Sequence, residues 1–560
     1  MKILFLVSAH NSLSQRAYVE LTDRGHNVLV QLSTSSEKML EAAERFNPSL
    51  IIAPFLKEYI PDQLWMRYKC IIVHPGVKGD RGPSSLDWAI LNGKKLWGVT
   101  LLEASPEMDA GDIWATHNFP VRNASKSALY RKEGCDAAIK GLLDTIEKFE
   151  SGTFKPTPLD YSHSDTIGIL HTPMKQLDRA INWHEPTSQI ARKIRCADSQ
   201  PGVLDTINGQ SYYLYGVHEE SKLKGAPGDI IAKRDGAICR ATGDGAVWIS
   251  HLKKKPLQGE LSCKLPAEMV LQDQLDQVPS IALSPFDSHS GSTYREIFYH
   301  EKNEVGYLQF NFYNGAMSTE QCYRLRDAYQ TALSKNTKVL VLLGGQDFWS
   351  NGIHLNVIEA SPHPGHESWR NINAIDDLVR DIILTDSKIV ISALQGNAAA
   401  GGVIMALASD YVFARDGIIL NPHYKKMGLY GSEYWTYLLP SRVGTTLTST
   451  LTESCLPLST RKAKAIGLID VIYDSSALIP GVKAFVEHLV ASKKYEQLLK
   501  DKQIQRKLDE QIKPLEDYRN EELSHMWDNF FSISSTYHTA RKQFVYKLSC
   551  VTAKSCSGKQ

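Results

Sequence analysis

A histidine at the end of an apolar run and an aspartate in a later turn form the first chemically useful pattern. His74 ends the run KCIIVH, and Asp109 opens the turn Asp109-Ala-Gly-Asp112. A strand that ends in His at the carboxyl edge of a parallel sheet places the imidazole where open α/β folds bind ligands. Acyl transfer needs oxyanion stabilisation and a group that moves a proton, and a His–Asp pair can supply both. Each residue alone is also typical of ordinary structure, because strand-end histidines and Asp-Gly turns are common.

The second half of the chain contains two glycine-rich turns, within residues 348–355 and 395–403. Small residues allow close approach of a ligand to the backbone, and such turns leave N–H groups pointing outward. Two turns of this kind facing each other would form an oxyanion hole for a thioester carbonyl. Read singly, they are ordinary tight turns, and the spacing of Gly396 and Gly401 also suits a dinucleotide loop.

The elements that must position these residues can be predicted from hydrophobic patterning. Apolar runs alternate with helix-periodic segments over the first 150 residues, which predicts a parallel, doubly wound α/β sheet closed by a helix over 129–149. Short strands separated by Gly, Asp and Asn turns then predict a small, OB-like β-barrel. A second α/β segment follows, and the chain closes with a charged helical tail in which Pro514 would introduce a kink.

The resulting fold class is multidomain α/β. The predicted domains are a doubly wound catalytic domain over 1–165, a β-barrel over 166–275, a linker over 276–293, an α/β domain over 294–490 and a helical extension over 491–560. The tail would pack onto its own domain or against a second subunit, so a homodimer is one expectation.

Composition limits the partners and the compartment. The 560 residues exceed what one core usually supports, and 63 basic against 62 acidic residues give a net charge of +1. That balance provides no general attraction to nucleic acid or to an anionic membrane. Nine cysteines without a CxxC pair favour reduced thiols in a cytoplasmic protein. For Cys550 and Cys556 a frayed end is favoured over a metal site.

The beginning of the chain contains an apolar run from Ile3 to Val7, which is too short for a signal peptide and is interpreted as a first strand. No stretch approaches the ~20 apolar residues that span a bilayer.

Three motifs in a fixed order carry a resemblance in the first half. They are His74-Pro75-Gly76, the run Gly79-Asp80-Arg81-Gly82-Pro83-Ser84 followed by Trp88, and Asp109-Ala110-Gly111-Asp112. In this order they resemble the formyltetrahydrofolate transferases, especially methionyl-tRNA formyltransferase. The resemblance implies 10-formyltetrahydrofolate as donor and His74 and Asp109 as catalytic residues. It also implies folate contacts from Arg81, Gly82, Pro83, Ser84, Trp88 and Asp112.

The resemblance has one departure and one extension. The family places an Asn two residues before the His, whereas this chain has Ile72, and loss of one oxyanion donor can cost about 100- to 1,000-fold in rate. Segments resembling the family's C-terminal barrel follow at 180–183, 190–195, 201–202 and 242–247. That barrel helps hold tRNA in the family, but the near-zero net charge here does not favour nucleic acid.

The two glycine-rich turns resemble those of the crotonase (enoyl-CoA hydratase/isomerase) superfamily. Three further segments carry the same resemblance, namely Leu407–Asp410, Arg442–Gly444 and Ala463–Asp470. The resemblance implies coenzyme A as ligand and an oxyanion hole from the N–H groups of Ile353 and Gly401. The hydratase glutamates are absent, since Ile404 and His423 stand at their positions. Without a carboxylate to activate water, hydratase activity is rejected.

Polar residues near this predicted pocket are His423, Tyr424, Tyr430 and Glu433, of which Glu433 and Tyr424 are favoured as catalytic. Burial in a hydrogen-bonded core is the alternative for each of them. No metal is expected at His354, His363 and His366, because no acidic or cysteine ligand completes a set.

The combination of these halves resembles HypX-type hydrogenase maturation factors. That resemblance implies formyl transfer to coenzyme A and decarbonylation of formyl-CoA to carbon monoxide for [NiFe]-hydrogenase. It also implies maturation proteins or the apo-hydrogenase large subunit as partners. We further expect one internal cavity joining both sites. Three alternatives remain: a formyltransferase acting on an amine with a crotonase-like scaffold, a formyltetrahydrofolate hydrolase, and an inactive binding module.

Overall fold

In a computed structural model, which describes residues 1–33 and 35–548, the chain begins with a six-stranded sheet in the order β2-β1-β3-β4-β5-β6. Strand β1 (KILFLV) is buried over Ile3–Val7, as expected for a central strand covered on both faces. The elements of this part are β1 (Lys2–Val7), α1 (Ser12–Thr22), β2 (Asn27–Leu32), α2 (Ser36–Phe46), β3 (Leu50–Phe55), α3 (Asp62–Trp65), β4 (Cys70–His74), α4 (Ser85–Leu91), β5 (Leu96–Glu103), β6 (Ile113–Pro120), α5 (Lys126–Leu129) and α6 (Cys135–Ser151).

The sheet is parallel only through β4. Strand β5 runs antiparallel to β4, and β6 runs antiparallel to β5. An antiparallel pair needs only a short connection, and residues 104–112 provide it. The prediction of a wholly parallel sheet was therefore wrong for its last two strands, and the connection between them is the loop that carries Asp109. The predicted closing helix is confirmed as α6, which Gly152 ends in a left-handed conformation (φ 66°).

The middle of the chain forms a second six-stranded sheet. Its order is β7-β8-β11-β10-β9, with β12 paired to β11. Its elements are α7 (Thr187–Ala197), β7 (Val203–Ile207), β8 (Gln210–Glu220), β9 (Ile230–Arg234), β10 (Ala237–Ala241), β11 (Ala246–Lys254), β12 (Leu265–Pro266) and α8 (Ala267–Leu271). The chain after it, predicted as a linker, lies against this sheet, since the Ile281 N–H donates to Lys233 O at 3.0 Å.

The third part contains a six-stranded sheet, β13-β14-β15-β17-β19-β22, and a four-stranded sheet, β16-β18-β20-β21. Its elements are β13 (Ile297–Lys302), β14 (Val305–Phe310), α9 (Thr319–Leu333), β15 (Val339–Leu343), β16 (Phe348–Ser350), α10 (Leu355–Ala360), α11 (Pro364–Leu384), β17 (Ile389–Leu394), β18 (Asn397–Ala399), α12 (Gly401–Leu407), β19 (Tyr411–Arg415), β20 (Ile419–Asn421), α13 (Trp435–Val443), α14 (Thr445–Ser454), β21 (Leu458–Ser459), α15 (Thr460–Ala465), β22 (Val471–Tyr473) and α16 (Leu478–Ala491).

The tail consists of α17 (Tyr495–Ile512), α18 (Leu515–Phe531) and α19 (Tyr537–Tyr546). Pro514 precedes the first residue of α18, so it separates two helices instead of kinking one. Helix α18 packs into the third part through its buried face, whereas Ile512 at the end of α17 is 82% exposed. Cys550 and Cys556 lie outside the described residues. Among the described residues no helix has the length and apolar content needed to cross a membrane.

Candidate functional site

The first site lies at the carboxyl end of β4, where His74 is held between two carboxylates. Its Nε2 lies 2.8 Å from Asp80 Oδ2, and its Nδ1 lies 3.4 Å from Asp109 Oδ2. His74 is only 5% exposed. The structure thus brings together the two residues that the sequence singled out, and it adds Asp80, which sequence reasoning quoted without a role.

Glycines determine the shape of the loop after His74. A Cβ at Gly76 would overlap the His74 ring and Asp80, so only glycine fits there. Gly82 has φ 88°, a conformation that side chains disfavour, and its N–H donates to Asp109 Oδ2 at 3.1 Å. Asp109 is therefore held by the same loop that carries the predicted folate residues.

Those folate residues lie along one edge of the site. Arg81 Nε donates to Met108 O at 2.9 Å, and Trp88 Nε1 donates to Thr172 O at 2.9 Å. Pro83 is exposed, and Ser84 takes a left-handed conformation (φ 67°) immediately before α4. Asp112 contributes through its backbone, since its carbonyl accepts the Glu103 N–H at 2.9 Å. Their roles in folate binding remain predictions.

Residues 168–171 cover this edge, which no sequence motif indicated. The Arg81 N–H donates to Ile169 O at 3.1 Å, and the His171 N–H donates to Arg81 O at 2.9 Å. The His171 ring stacks on Trp88 with centroids 5.7 Å apart, and its Nε2 lies 3.5 Å from Asp80 Oδ1. Ile72, which replaces the family Asn, shares the His74 face of β4 and packs among apolar side chains.

The second site is formed by the two glycine-rich turns, which converge as predicted. A Cβ at Gly352, the residue before Ile353, would lie 3.5 Å from the Gly401 nitrogen. Trp349 Nε1 donates to Gly402 O at 2.8 Å and so ties one turn to the other. Ile404 lies in the core at 0% exposure, so no carboxylate occupies that hydratase position.

Glu433 lies directly against the Gly401 turn. A Cβ at Gly401 would overlap Glu433 Oε1, and the Tyr424 hydroxyl donates to Glu433 Oε2 at 2.7 Å. Glu433 is 1% exposed, and burial together with the charge of Asp376 raises its pKa to about 8. Burial and the neighbouring Glu433 raise the pKa of Tyr424 well above its usual value. The favoured pair is therefore adjacent and next to the predicted oxyanion hole.

The other two polar candidates differ in their position relative to the cavity around this site. His423 lines the cavity, and burial lowers its pKa to about 4. Tyr430 is 37% exposed, stacks on His525 with centroids 4.1 Å apart and is not among the described residues that line the cavity.

A cavity of about 730 Å³ surrounds this second site. Its wall includes Ile353, Gly401, Tyr424 and Glu433 from the third part of the chain. The same wall takes side chains from the first sheet and its helix, namely His10, Ser12, Ser14, Gln15, Tyr18, Val28 and Val30. The described lining does not include His74 or Asp109, so continuity between the two sites stays a prediction.

Of the three histidines weighed as metal ligands, His354 caps a helix and the other two lie close to each other. His354 Nδ1 accepts the Val357 N–H at 3.3 Å as the cap of α10. The His363 and His366 rings lie with centroids 6.1 Å apart at the start of α11. Within residues 1–33 and 35–548, no group of three or more His, Cys, Asp or Glu is arranged to hold a metal ion.

Family models match three segments of the chain. Residues 29–146 match formyl transferase, residues 173–264 match the formyl transferase C-terminal domain, and residues 301–547 match enoyl-CoA hydratase/isomerase. Fold and sites together define a formyltransferase-like half joined to a crotonase-like half.

Whole-chain comparisons narrow this class. A hydrogenase maturation factor HoxX of Bradyrhizobium diazoefficiens is 45% identical over 551 residues, which is 98% of this chain and 95% of that protein. The crystal structure of HypX from Aquifex aeolicus in complex with tetrahydrofolic acid is 45% identical, with a TM-score of 0.94 over 98% of this chain and 96% of that one. A methionyl-tRNA formyltransferase of Bacillus velezensis is 28% identical over 43% of this chain and 77% of its own length. The chain belongs to the HypX/HoxX family of hydrogenase maturation factors.

Proposed function

We propose that the protein makes carbon monoxide for the [NiFe]-hydrogenase active site in two reactions. A formyl group first moves from 10-formyltetrahydrofolate to the thiol of coenzyme A. Formyl-CoA then loses carbon monoxide and regenerates coenzyme A. 10-Formyltetrahydrofolate and coenzyme A are both substrates of the first reaction. The reactions would take place in the cytoplasm, and the partners would be hydrogenase maturation proteins or the apo-hydrogenase large subunit.

The first reaction would use the His74 site. The C–N bond of the donor breaks, a C–S bond forms, and one proton passes from the thiol sulfur to the donor nitrogen. His74 is suited to carry this proton, because Asp80 and Asp109 hold its ring from both nitrogens. The tetrahydrofolic acid bound to the Aquifex aeolicus relative supports a folate as donor.

The second reaction would use the Gly401 turn and Glu433. The C–S electron pair leaves with sulfur, the C–H electron pair stays on carbon, and one proton passes from carbon to sulfur. The N–H groups of Ile353 and Gly401 would bind the thioester oxygen, and the Glu433–Tyr424 pair would carry the proton. The placement of Glu433 Oε1 against Gly401 is the observation that carries this proposal.

The test combines the purified full-length chain, 10-formyltetrahydrofolate and coenzyme A, with a haem protein reporting carbon monoxide. We expect carbon monoxide only when all three are present. Tyr424→Phe and Glu433→Gln should each lower its release by about 100-fold or more, since a positioned proton carrier typically contributes about 100- to 10,000-fold. Tyr430→Phe is the matched control, since this tyrosine stacks on His525 outside the cavity.

Other outcomes assign other functions. Formate released without coenzyme A would identify a formyltetrahydrofolate hydrolase. Formyl transfer to an added amine, unaffected by Glu433→Gln, would identify a transferase with a crotonase-like scaffold. Either result overturns the carbon monoxide proposal.

A further inference from the structure

Asp376 lies beneath the turn that carries Glu433. It projects from α11 and is 0% exposed. Its Oδ1 accepts the backbone N–H of Glu433 at 2.8 Å, and its Oδ2 accepts the Ser432 hydroxyl at 2.7 Å. These two hydrogen bonds hold the turn at Ser432 and at Glu433.

Glu522 holds the other side of the same turn. It projects from α18, in the tail, and is also 0% exposed. It accepts the backbone N–H groups of Tyr434 and Thr436, each at 2.8 Å, together with the Thr436 hydroxyl. A helix more than 80 residues further along the chain is thus bonded to the residue that follows Glu433.

The turn needs such support because its backbone is strained. Glu433 and Tyr434 have φ values of 63° and 61°, two successive left-handed residues with side chains. Residues with a Cβ adopt this conformation at a cost, and it persists only where surrounding bonds fix it. An ordinary backbone at this point would turn the Glu433 carboxyl away from Gly401.

We propose that Asp376 and Glu522 are positioning residues, which together hold the Ser432–Thr436 turn so that the Glu433 carboxyl faces the Gly401 turn. The inference rests on the proposed role of Glu433 in the thioester reaction.

The charges around Glu433 provide a readout that a purely structural role would not move. Several titratable or charged groups lie around Glu433 or interact with its neighbours. They are Tyr424, Asp376, Glu522, Cys322 of α9, Arg519 of α18 and Asp377 of α11. Burial is the main cause that raises the pKa of Glu433, and the charge of Asp376 is the next largest cause. Removing that charge should lower the apparent pKa of Glu433.

The first experiment is structural and needs no activity. Crystal structures of Asp376→Ala and Glu522→Gln should show Glu433 or Tyr434 leaving the left-handed region and the Glu433 carboxyl withdrawn from Gly401. Asp377→Ala is the matched control. It removes a neighbouring carboxylate of α11 that bonds Arg519 at 2.6 Å and that no hydrogen bond links to the described turn. An unmoved turn in both test variants overturns the proposal.

The second experiment supplies formyl-CoA directly and follows carbon monoxide. Both variants should lose about 10- to 100-fold in kcat with KM within about threefold, because a displaced catalytic group affects the reaction more than binding. In Asp376→Ala the pH–rate inflection due to Glu433 should also move to lower pH, whereas in Glu522→Gln it should move less. A kcat unchanged in both variants contradicts the proposal. If the wild-type protein makes no carbon monoxide, the proposed function fails, and the crystal structures still decide the positioning.

Discussion

His74 is a strand-end histidine whose ring has a carboxylate at each nitrogen, Asp80 at 2.8 Å and Asp109 at 3.4 Å. The two carboxylates fix the orientation of such a ring, which a proton carrier requires. The sequence motif contains all three residues, but only the folded loop shows that Asp80 is the nearer carboxylate.

Replacing His74 by Asn should lower formyl transfer to coenzyme A by about 100- to 10,000-fold, because the group that moves the proton is removed. Tetrahydrofolate release, followed by absorbance, measures this step. The matched control is His117→Asn on strand β6 of the same sheet, which breaks a 2.6 Å pair with Asp144 of α6. A His74→Asn variant with near wild-type release would exclude His74 from the reaction.

The buried carboxyls predict how stability varies with pH. Burial raises the pKa of Glu522 to about 8 from a usual 4.5, and Asp376 and Glu433 are raised in the same direction. A folded state with raised carboxyl pKa values binds more protons than the unfolded chain between these limits. Buried histidines with lowered pKa values, such as His354 and His423, act in the opposite direction below about pH 6.5, so the free energy of unfolding should fall as pH rises from about 6.5 to about 8.

Thermal unfolding midpoints at several pH values test this slope. Glu522→Gln should have a shallower slope than the wild-type protein, because one of the three groups no longer titrates. A midpoint that rises over this range would show that these carboxyls are ionised in the folded protein.

Two kinds of element form the proposed thioester site. The glycine-rich turns bring backbone N–H groups together, and helices α11 and α18 support the Glu433 turn from below. The tail helix α18 was predicted only to pack, yet its Glu522 bonds to the residue after Glu433.

Gly401→Ala should reduce decarbonylation of formyl-CoA by about 100-fold or more, since the new Cβ would displace Glu433 and distort the oxyanion hole. Formyl transfer at His74 should stay within about twofold. His74 is not among the described residues that line the cavity around Gly401, and substitutions at distant sites act independently. Gly134→Ala is the matched control, as its Cβ would meet its nearest atom at 3.3 Å in a helical turn. Equal loss of both reactions would point to a folding defect instead.

The two halves are joined by polar contacts near the shared cavity. Arg131 bonds Asp347 at 3.2 Å, and Asn421 bonds Gln15 at 3.2 Å. A carrier bound in a cavity with walls from both halves would stay close to both sites, which raises the effective concentration of its thioester.

Confinement predicts an isotope result. With ¹³C-formyl donor, coenzyme A and an excess of unlabelled formyl-CoA, the carbon monoxide released should contain more ¹³C than the free formyl-CoA pool. Labelled formyl-CoA added alone serves as the control that the external thioester can enter. Carbon monoxide with the label content of the pool would show that the intermediate leaves between reactions.

The amino-acid sequence by itself determined the local features. The strand ending at His74, the Asp109 turn, the glycine turns at Ile353 and Gly401 and the closing helix α6 all follow from apolar periodicity and from residues with special backbone freedom. These features depend on neighbours a few positions away, so they can be predicted without the fold.

Only the tertiary structure decided the contacts between distant segments. The antiparallel direction of β5 and β6 depends on strand pairing. The cover formed by residues 168–171 and the support of Glu433 by Asp376 and Glu522 join residues 57 to 90 positions apart. Carboxylates such as these are expected on a surface when seen in sequence, because their burial requires partners that only folding supplies. The proposed chemistry would depend on those partners, because they bond the backbone of the Glu433 turn and the charge of Asp376 helps to raise the pKa of Glu433.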